Sequence, residues 1–456
     1  MTTNFRAIPS VDRLLSHEAI ARLVQRYSHA AVTDLLRHEL AAARQAVAAG
    51  SPAPTADEIA GRVGQAAKQQ WAAGPRRVIN ATGVIIHTNL GRAPLSADAI
   101  DAVREAARGY SNLEYDLDQG ERGHRYQHVT GLLSQLTGAE AALMVNNNAS
   151  AVMMTLAAFA SGKEVVISRG EAVEIGGGFR IPDVLRQSGA VLVEVGTTNR
   201  TYARDYEAAA TPQTAAFLKV HASNFRVTGF THSASLEELA PIARTAGVLL
   251  LHDLGSGSLL STETYGLAHE PTPPESVAAG ADLTCFSTDK LLGGPQGGIV
   301  VGKKELIDRL ARHPLARAMR MDKLDIAALS TTLLHYLQGD AVEKVPVWRM
   351  IAMPVDELEA RARRWQAALG EGVAVIPGES TVGGGSLPGE TLPTRLVALP
   401  TGSFPGGAPA LLARLREQPV PIIARVVEDR VVLDPRTVSQ DEEVLLLRQT
   451  QQAMSR

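Results

Sequence analysis

The chain has 456 residues, enough for two or three domains that each bury a core. Hydrophobic residues make up 45% and charged residues 20%, which is typical of a globular protein, and the formal net charge of −3 excludes a general electrostatic attraction to nucleic acid, DNA included. The one cysteine, Cys285, excludes a disulfide within the chain and fits a reducing compartment. It lies in an apolar run, and we interpret it as a core residue rather than a nucleophile.

The beginning of the chain predicts a location. Residues 1–6 lack the charged and then apolar profile of a signal peptide, and no apolar run is long enough to span a bilayer. We therefore expect a cytoplasmic protein without a membrane partner.

The first part of the chain predicts a small helical domain over 1–74. Apolar residues recur at mostly helical intervals between 10 and 48, and Thr55 with Glu58 predicts a capping box after the break at 50–55. Residues 1–74 contain eight basic and six acidic residues. They form either a solvated helix surface or a site for an RNA backbone.

The next segments predict two anion sites. Residues 78–95 combine an apolar strand with a polar exit, where Arg92 can present its guanidinium to an anion. After a predicted loop at 111–126, the strand 141–145 leads through Asn147, Asn148 and Ala149 into a helical stretch. Free N–H groups at a helix start attract phosphate, although an ordinary N-cap explains the same pattern.

Further apolar runs alternate with helical segments such as 235–246 and predict a mostly parallel sheet covered by helices. The predicted strands are 164–168, 190–195, 215–221 and 247–253. Ligands bind such sheets at the carboxyl ends of the strands, and Asp253 stands at that end.

The stretch 281–301 predicts a buried strand, a polar turn that presents Lys290, a glycine-rich reversal and a second strand. A lysine whose pKa is lowered by its surroundings can form a Schiff base with an aldehyde, and Ser287 or Thr288 can hold a phosphate beside it. An aspartate such as Asp253 can keep a pyridinium nitrogen protonated. The order of Asp253 and Lys290 resembles that of fold-type I pyridoxal phosphate enzymes.

From about residue 329 the pattern changes. A helix up to about 369 is followed by short strands around 373–376, 396–399, 422–427 and 430–434, and by a closing helix over 441–454. The glycine- and proline-rich stretch 378–393 predicts a loop. We expect a core domain over 75–335 and a smaller C-terminal α+β domain over 336–456.

Six separated segments, in order along the chain, closely resemble the bacterial selenocysteine synthase (L-seryl-tRNA(Sec) selenium transferase) family. They are residues 87–92, 113–117, 122–125, 145–149, 287–296 and 383–388. The resemblance implies a fold-type I transferase that uses pyridoxal 5'-phosphate to convert seryl-tRNA(Sec) to selenocysteinyl-tRNA(Sec). It also implies an aminoacrylyl-tRNA intermediate, selenophosphate as selenium donor, tRNA binding by residues 1–74, and a homo-oligomer built as a ring of dimers.

The resemblance also implies roles for single residues, and none of them is a metal ligand. Lys290 would be the Schiff-base lysine, with Asp289 beside it as a second catalytic residue. From their positions in the predicted sheet and turns, rather than from the resemblance, the other cofactor-binding residues would be Asp253, Asn147, Asn148, Ala149 and Ser287. Arg92, Arg317 and Arg320 would bind selenophosphate, and Arg317 and Arg320, three apart, would share one face of a helix. His87 and His252 are candidates for the acid that protonates the leaving hydroxyl, or are structural.

Two other functions remain open from the sequence. A pyridoxal-dependent lyase for a small amino acid or a phosphorylated amino sugar acid would share Lys290 and Asp253 but has no evident need for the N-terminal helical domain. A non-catalytic RNA-binding or assembly protein is disfavoured because the lysine, the aspartate and the phosphate turn are all present.

Overall fold

A computed structural model of the protein describes residues 5–71, 74–175, 178–402 and 404–455. Residues 1–4, which belong to the segment interpreted above as lacking a signal peptide, lie outside the described residues. The chain forms two units, Met1–Arg77 and Val78–Arg456. No described helix combines the length and the apolar character needed to cross a bilayer.

The first unit is helical. Its helices are α1 (Val11–Leu15), α2 (Glu18–Arg26), α3 (His29–Ala48) and α4 (Ala56–Gln70). The apolar run over 10–48 is divided because His17 and Ser28 cap the starts of α2 and α3. The predicted capping box of Thr55 and Glu58 is confirmed at α4. The buried side chains of the four helices pack into one core, which includes Leu14, Ile20, Leu36, Leu40, Ile59 and Val63.

The larger unit begins with alternating strands and helices. In chain order these are β1 (Ile79–Asn80), α5 (Ala97–Arg108), β2 (Tyr115–Asp116), β3 (Glu121–Arg122), α6 (Gln127–Thr137), β4 (Ala141–Val145), α7 (Asn148–Ala160), β5 (Glu164–Ser168), β6 (Glu174–Ile175), β7 (Phe179–Arg180), α8 (Ile181–Gln187), β8 (Val191–Val195), α9 (Ala203–Ala209), β9 (Thr214–Val220), α10 (Leu236–Ala246), β10 (Leu249–Gly255), α11 (Pro273–Ala278), β11 (Leu283–Ser287), β12 (Gly298–Gly302), α12 (Lys304–Arg312), α13 (Pro314–Ala318), α14 (Lys323–Gln338), α15 (Ala341–Lys344) and α16 (Pro346–Ala352).

Seven of these strands form the central sheet, in the order β4-β12-β11-β10-β9-β5-β8. Strands β11, β10, β9, β5 and β8 pair in parallel, and β12 runs antiparallel between β11 and β4. The predicted mostly parallel α/β sheet is therefore confirmed. Its strands are apolar on both faces because helices cover both, with α7, α8 and α12 in one core cluster and α6 and α14 in another.

The last part of the chain is α+β. It consists of α17 (Val355–Leu369), β13 (Ala374–Thr381), β14 (Thr391–Ala398), α18 (Gly407–Arg416), β15 (Ile422–Ile423), β16 (Arg425–Val427), β17 (Arg430–Leu433) and α19 (Glu443–Met454). An antiparallel sheet runs in the order β13-β14-β17-β16, and β1 pairs in parallel with β15. The division of this unit at 335 and 336 stays a prediction.

The loop predicted over 378–393 is shorter in the structure. Strands β13 and β14 pair without interruption from Ala374 opposite Ala398 to Thr381 opposite Thr391. Glycine and proline do not prevent this pairing, because a hairpin at the end of a sheet leaves part of the backbone outside the ladder. Only residues 382–390 connect the two strands.

Candidate active site

Lys290 lies in a tight turn after β11. The Gly293 amide donates to the Lys290 carbonyl at 3.0 Å and the Gly294 amide to the Thr288 carbonyl at 2.8 Å. The lysine is only 5% exposed. A Cβ at Gly298, on β12, would lie 2.2 Å from the Asn147 carbonyl oxygen. Glycine at this position therefore allows the start of α7 to approach the sheet beside the lysine turn.

Two aromatic residues, Tyr336 and Trp348, support the turn of Lys290 through hydrogen bonds. The Tyr336 hydroxyl donates to the Leu292 carbonyl at 2.7 Å, and Trp348 Nε1 donates to the same hydroxyl at 2.8 Å. Trp348 is fully buried. The indole therefore fixes the phenol, and the phenol fixes the backbone two residues after Lys290.

Replacing Trp348 with alanine is expected to lower the free energy of unfolding by about 3–5 kcal/mol, because the substitution leaves a large cavity. Trp348→Phe retains most of the apolar contact and loses the hydrogen bond, with an expected cost of about 1–2 kcal/mol. Urea denaturation of both variants measures the difference. Val444→Ala, at a side chain that is 81% exposed, is the control. Equal effects of the alanine and phenylalanine substitutions would contradict this packing argument.

Lys290 is set apart by its electrostatic surroundings. Burial lowers the pKa of its amine; the carboxylate of Asp253 opposes this lowering, and the guanidinium of Arg92 adds to it. A lowered pKa makes more of the amine neutral near pH 7 and therefore nucleophilic. The geometry supports covalent capture of a carbonyl group at this residue.

Asp253, Asn148 and Lys290 lie together. Asp253 is on β10, and Asn148 Nδ2 donates to its Oδ1 at 2.8 Å. Burial raises the pKa of Asp253, and the bond from Asn148 and the charge of Lys290 oppose this rise. The carboxylate is thus buried next to partners that favour its charged form.

The turn before α7 is both an N-cap and an open helix start. The Asn147 side chain accepts from the Ser150 amide at 2.8 Å. The amides of Asn148 and Ala149 belong to the first turn, where no intrahelical acceptor exists. Ser287 ends β11 and is buried nearby in the sheet, paired with Gly298. These residues form an edge that can receive an anion.

Arg92 and Asp289 form an ion pair. Arg92 Nη1 donates to Asp289 Oδ2 at 2.7 Å, and the Ala93 amide contacts the Asp289 carbonyl at 3.3 Å. Arg92 adopts a left-handed conformation with φ of 64° after Gly91. Its side chain remains 34% exposed, so part of the guanidinium faces outward.

The predicted shared helix face of Arg317 and Arg320 is wrong. Helix α13 ends at Ala318, and the chain then turns so that the Met319 carbonyl accepts from the Asn146 amide at 2.8 Å. Arg320 lies beyond the helix, with Nη1 3.8 Å from Glu114 Oε1. Within the described residues, no hydrogen bond or ion pair connects Arg317 or Arg320 to Arg92 or Lys290.

The two histidine candidates differ. His252 is buried, with Nδ1 2.9 Å from the Ser276 hydroxyl, and burial lowers its pKa to about 3, so it is neutral near pH 7. His87 precedes the turn of Arg92 and has a buried Nδ1 without a partner among the described residues. Because His252 is neutral near pH 7, it lacks the imidazolium proton that a general acid would donate.

The sequence analysis missed His221, Ser223, Ser256 and Glu270. His221 and Ser223 follow β9, whose carboxyl end is the place where ligands of parallel sheets bind, and this signal was available. A Cβ at Gly255 would lie 3.4 Å from Ser223 Oγ and 3.9 Å from Lys290 Nζ. Glu270 lies in the loop before α11, and no sequence pattern connects it to the site.

Several buried polar atoms around Lys290 have no partner among the described residues. They are Asn148 Oδ1, His221 Nε2, Ser256 Oγ and Glu270 Oε1. Two of these residues, His221 and Glu270, line a cavity of about 800 Å³ together with Lys219, Phe225 and Leu387 among others. Unpaired buried polar atoms are costly, so their concentration here fits a polar ligand.

The family model described as "L-seryl-tRNA selenium transferase" matches residues 78–439, and that described as "Selenocysteine synthase N terminal" matches residues 5–44. The L-seryl-tRNA(Sec) selenium transferase of Geobacter sulfurreducens is 49% identical over 96% of this chain and 97% of that protein. The protein of the same name from Moorella thermoacetica is 46% identical over 98% of this chain and 97% of that protein.

Among solved structures, D-glucosaminate-6-phosphate ammonia-lyase is similar, with a TM-score of 0.60 and 23% identity over 85% of this chain and 97% of that one. This likeness concerns the fold, which is that of the fold-type I pyridoxal phosphate enzymes, as the order of Asp253 and Lys290 predicted. Two findings decide the family. The family model matches most of the chain, and the relatives are 46% and 49% identical over nearly its whole length. The chain belongs to the L-seryl-tRNA(Sec) selenium transferase family, and it is a transferase.

Proposed function

We propose that the protein converts seryl-tRNA(Sec) to selenocysteinyl-tRNA(Sec) with pyridoxal 5'-phosphate as cofactor and selenophosphate as selenium donor, through an aminoacrylyl-tRNA intermediate. The observation that carries the proposal is the buried Lys290, with its lowered pKa, beside Asp253 and Asn148 in a chain of this family. The relatives are named for action on seryl-tRNA(Sec).

The residues present fit the cofactor. Lys290 would bind its aldehyde, Asp253 its ring nitrogen, and Ser287 with the start of α7 (Asn147, Asn148 and Ala149) its phosphate. The free amides at the start of α7 are donors of the kind that a phosphate satisfies. When bound, the cofactor supplies an electron sink that stabilises negative charge at the substrate's Cα.

Lys290 has a second task in this proposal. Once the seryl substrate is bound, its amine Nζ takes the proton from the seryl Cα, which a neutral amine can do and an ammonium cannot. Burial supplies this neutral form by lowering the pKa of Lys290. The ion pair between Asp289 and Arg92 fixes the position of the Arg92 guanidinium relative to the turn that carries Lys290.

The arginines supply charge for selenophosphate. Arg92 faces partly outward beside Lys290, and its guanidinium can form paired hydrogen bonds with a phosphate. Arg317 and Arg320 are exposed in the single chain. We include in the proposal a homo-oligomer, a ring of dimers, in which these arginines of one copy complete the site of another.

The N-terminal unit is the proposed tRNA-binding part. Its exposed helix surfaces carry arginines, among them Arg22 and Arg37, that can contact phosphates. A cytoplasmic location belongs to the same proposal, since the single cysteine fits a reducing compartment.

A variant that begins at Val78 tests the substrate. We expect the full chain to bind seryl-tRNA(Sec) more tightly than seryl-tRNA(Ser), and the variant to lose most of this preference, because the N-terminal arginines are removed. Filter binding at a fixed salt concentration measures both affinities. The content of bound pyridoxal phosphate, measured by absorbance, is the control for an intact larger unit. Equal binding of both tRNAs by the full chain, together with turnover of a small free amino acid, would instead support the lyase.

A further inference from the structure

His221 stands at the carboxyl end of β9, directly beside the strand of Asp253. Its amide donates to the Asp253 carbonyl at 2.9 Å, and its own carbonyl accepts from the Ser223 amide at 2.9 Å. Ser223 Oγ and Lys290 Nζ both lie within 4 Å of the positions that a Cβ would take at Gly255 and at Gly385. The segment 221–223 therefore lies against the lysine.

Glu270 faces the imidazole. Its Oε1 lies 3.3 Å from His221 Nε2, and its side chain is 2% exposed. Apart from this contact, neither atom has a polar partner among the described residues, and the contact itself does not have hydrogen-bond geometry. The Glu270 amide donates to the Thr262 hydroxyl at 3.1 Å, which anchors the backbone of this loop. The buried Glu270 carboxylate therefore lies directly against one edge of the His221 ring and limits the orientations that the ring can take.

The other ring nitrogen of His221 is free. Nδ1 has no hydrogen-bond partner among the described residues and is not among the buried polar atoms. The side chain is 23% exposed and lines the cavity of about 800 Å³. A group that enters this cavity therefore meets the His221 imidazole, and the segment 221–223 lies against Lys290.

The rival histidines have poorer surroundings for an acid. His252 is neutral, as its pKa of about 3 requires. The backbone of His87 forms a bridge with that of Arg92, and its side chain has no carboxylate partner among the described residues.

We propose that His221, held by Glu270, donates the proton that allows the seryl β-hydroxyl to leave; this rests on the proposed function. Lys290 takes the proton of Cα, and that electron pair forms the Cα–Cβ double bond. The Cβ–O bond breaks, its electron pair stays on oxygen, and the oxygen takes the proton from His221 Nδ1 and leaves as water. His221 recovers a proton from solvent in the cavity. Glu270 is a positioning residue that orients the imidazole.

Leaving groups distinguish this role from a structural one. Hydroxide needs a proton to leave, whereas chloride does not. The substrates are therefore seryl-tRNA(Sec) and β-chloroalanyl-tRNA(Sec), each mixed with the holoenzyme in a single turnover without selenium donor. The measured quantities are pyruvate after hydrolysis, tRNA binding and bound pyridoxal phosphate.

We expect His221→Ala to slow reaction of the seryl substrate by roughly 10²- to 10⁴-fold, the usual contribution of a general acid, and that of the chloro substrate by less than about tenfold. Glu270→Gln should show the same dependence on leaving group with a smaller loss. Binding of tRNA and of cofactor should be unchanged. Val444→Ala, at a residue that is 81% exposed and outside the cavity lining, should change neither rate.

Equal slowing of both substrates by His221→Ala would overturn the proposal, and so would a selective loss in His87→Ala. If His221→Ala does not fold, His221→Asn and Glu270→Gln decide the question. For each of them the measured quantity is again the ratio of the rates with the seryl and the chloro substrate. Failure of the unsubstituted enzyme with both aminoacyl-tRNAs would contradict the proposed function itself, which separates the two failures.

Discussion

Replacing Lys290 with alanine is expected to remove selenocysteinyl-tRNA formation, by at least about 10³-fold, and to remove covalently held pyridoxal phosphate. The substitution deletes both the amine that captures the aldehyde and the base that takes the Cα proton, and general base catalysis alone contributes roughly 10²- to 10⁴-fold. Visible absorbance of the dialysed protein and the rate of seryl-tRNA(Sec) conversion measure the two losses.

Lys290→Arg is the matched control. Arginine keeps a cation beside Asp253 but cannot lose its proton near neutral pH, so it supplies neither nucleophile nor base. We expect the arginine variant to be as inactive as the alanine variant while retaining the counter-charge of Asp253. Substantial activity or retained cofactor colour in either variant would rule out Lys290 as the residue that binds the cofactor.

Asp253→Asn is expected to lower the rate by roughly 10²- to 10³-fold, the usual effect of removing a preorganised electrostatic partner. The amide keeps the shape of the carboxyl but cannot hold a protonated ring nitrogen by charge. The substitution should also lower the pKa of Lys290 further, because burial lowers that pKa and Asp253 is the first charge that opposes it. Lys290 would then stay neutral to a lower pH than in the parent protein.

The pH dependence of Lys290 labelling by an amine reagent in the cofactor-free protein checks this sign. Labelling requires the neutral amine, so its midpoint should move to lower pH in Asp253→Asn. Asn148→Ala is the control: it removes the 2.8 Å hydrogen bond to Asp253 but keeps the carboxylate. An unchanged rate in Asp253→Asn, or a midpoint that moves to higher pH, would contradict the role given to Asp253.

Much of the fold was predictable from local pattern. Apolar runs of strand length alternating with helical segments predicted the parallel sheet, and the strands predicted at 141–145, 164–168, 190–195, 215–221 and 247–253 were observed within about two residues. The apolar strand predicted at the start of 78–95 is reduced to Ile79–Asn80, which pairs with β15 outside this sheet. Strands that point the same way bring their carboxyl ends to one edge of a sheet, so Asp253 and the turn after β4 lie at the same edge. The hydrogen bond between Asn148 and Asp253 depends in addition on the strand order, in which β12 and β11 lie between β4 and β10.

The sequence by itself determined the sheet, the lysine turn and the family, because these depend on periodicity and on motifs of neighbouring residues. Only the tertiary structure decided which charges meet. Arg92 forms an ion pair with Asp289, which lies 197 residues later in the chain. Arg320 lies outside the predicted helix because the chain turns at Met319, whose carbonyl accepts from the Asn146 amide. His221 follows the end of β9, whereas Glu270 lies in the loop between β10 and α11, so their contact depends on how that loop folds back toward β9. No local pattern encodes such a distance, because it is set by how the strands and loops of the whole sheet pack together.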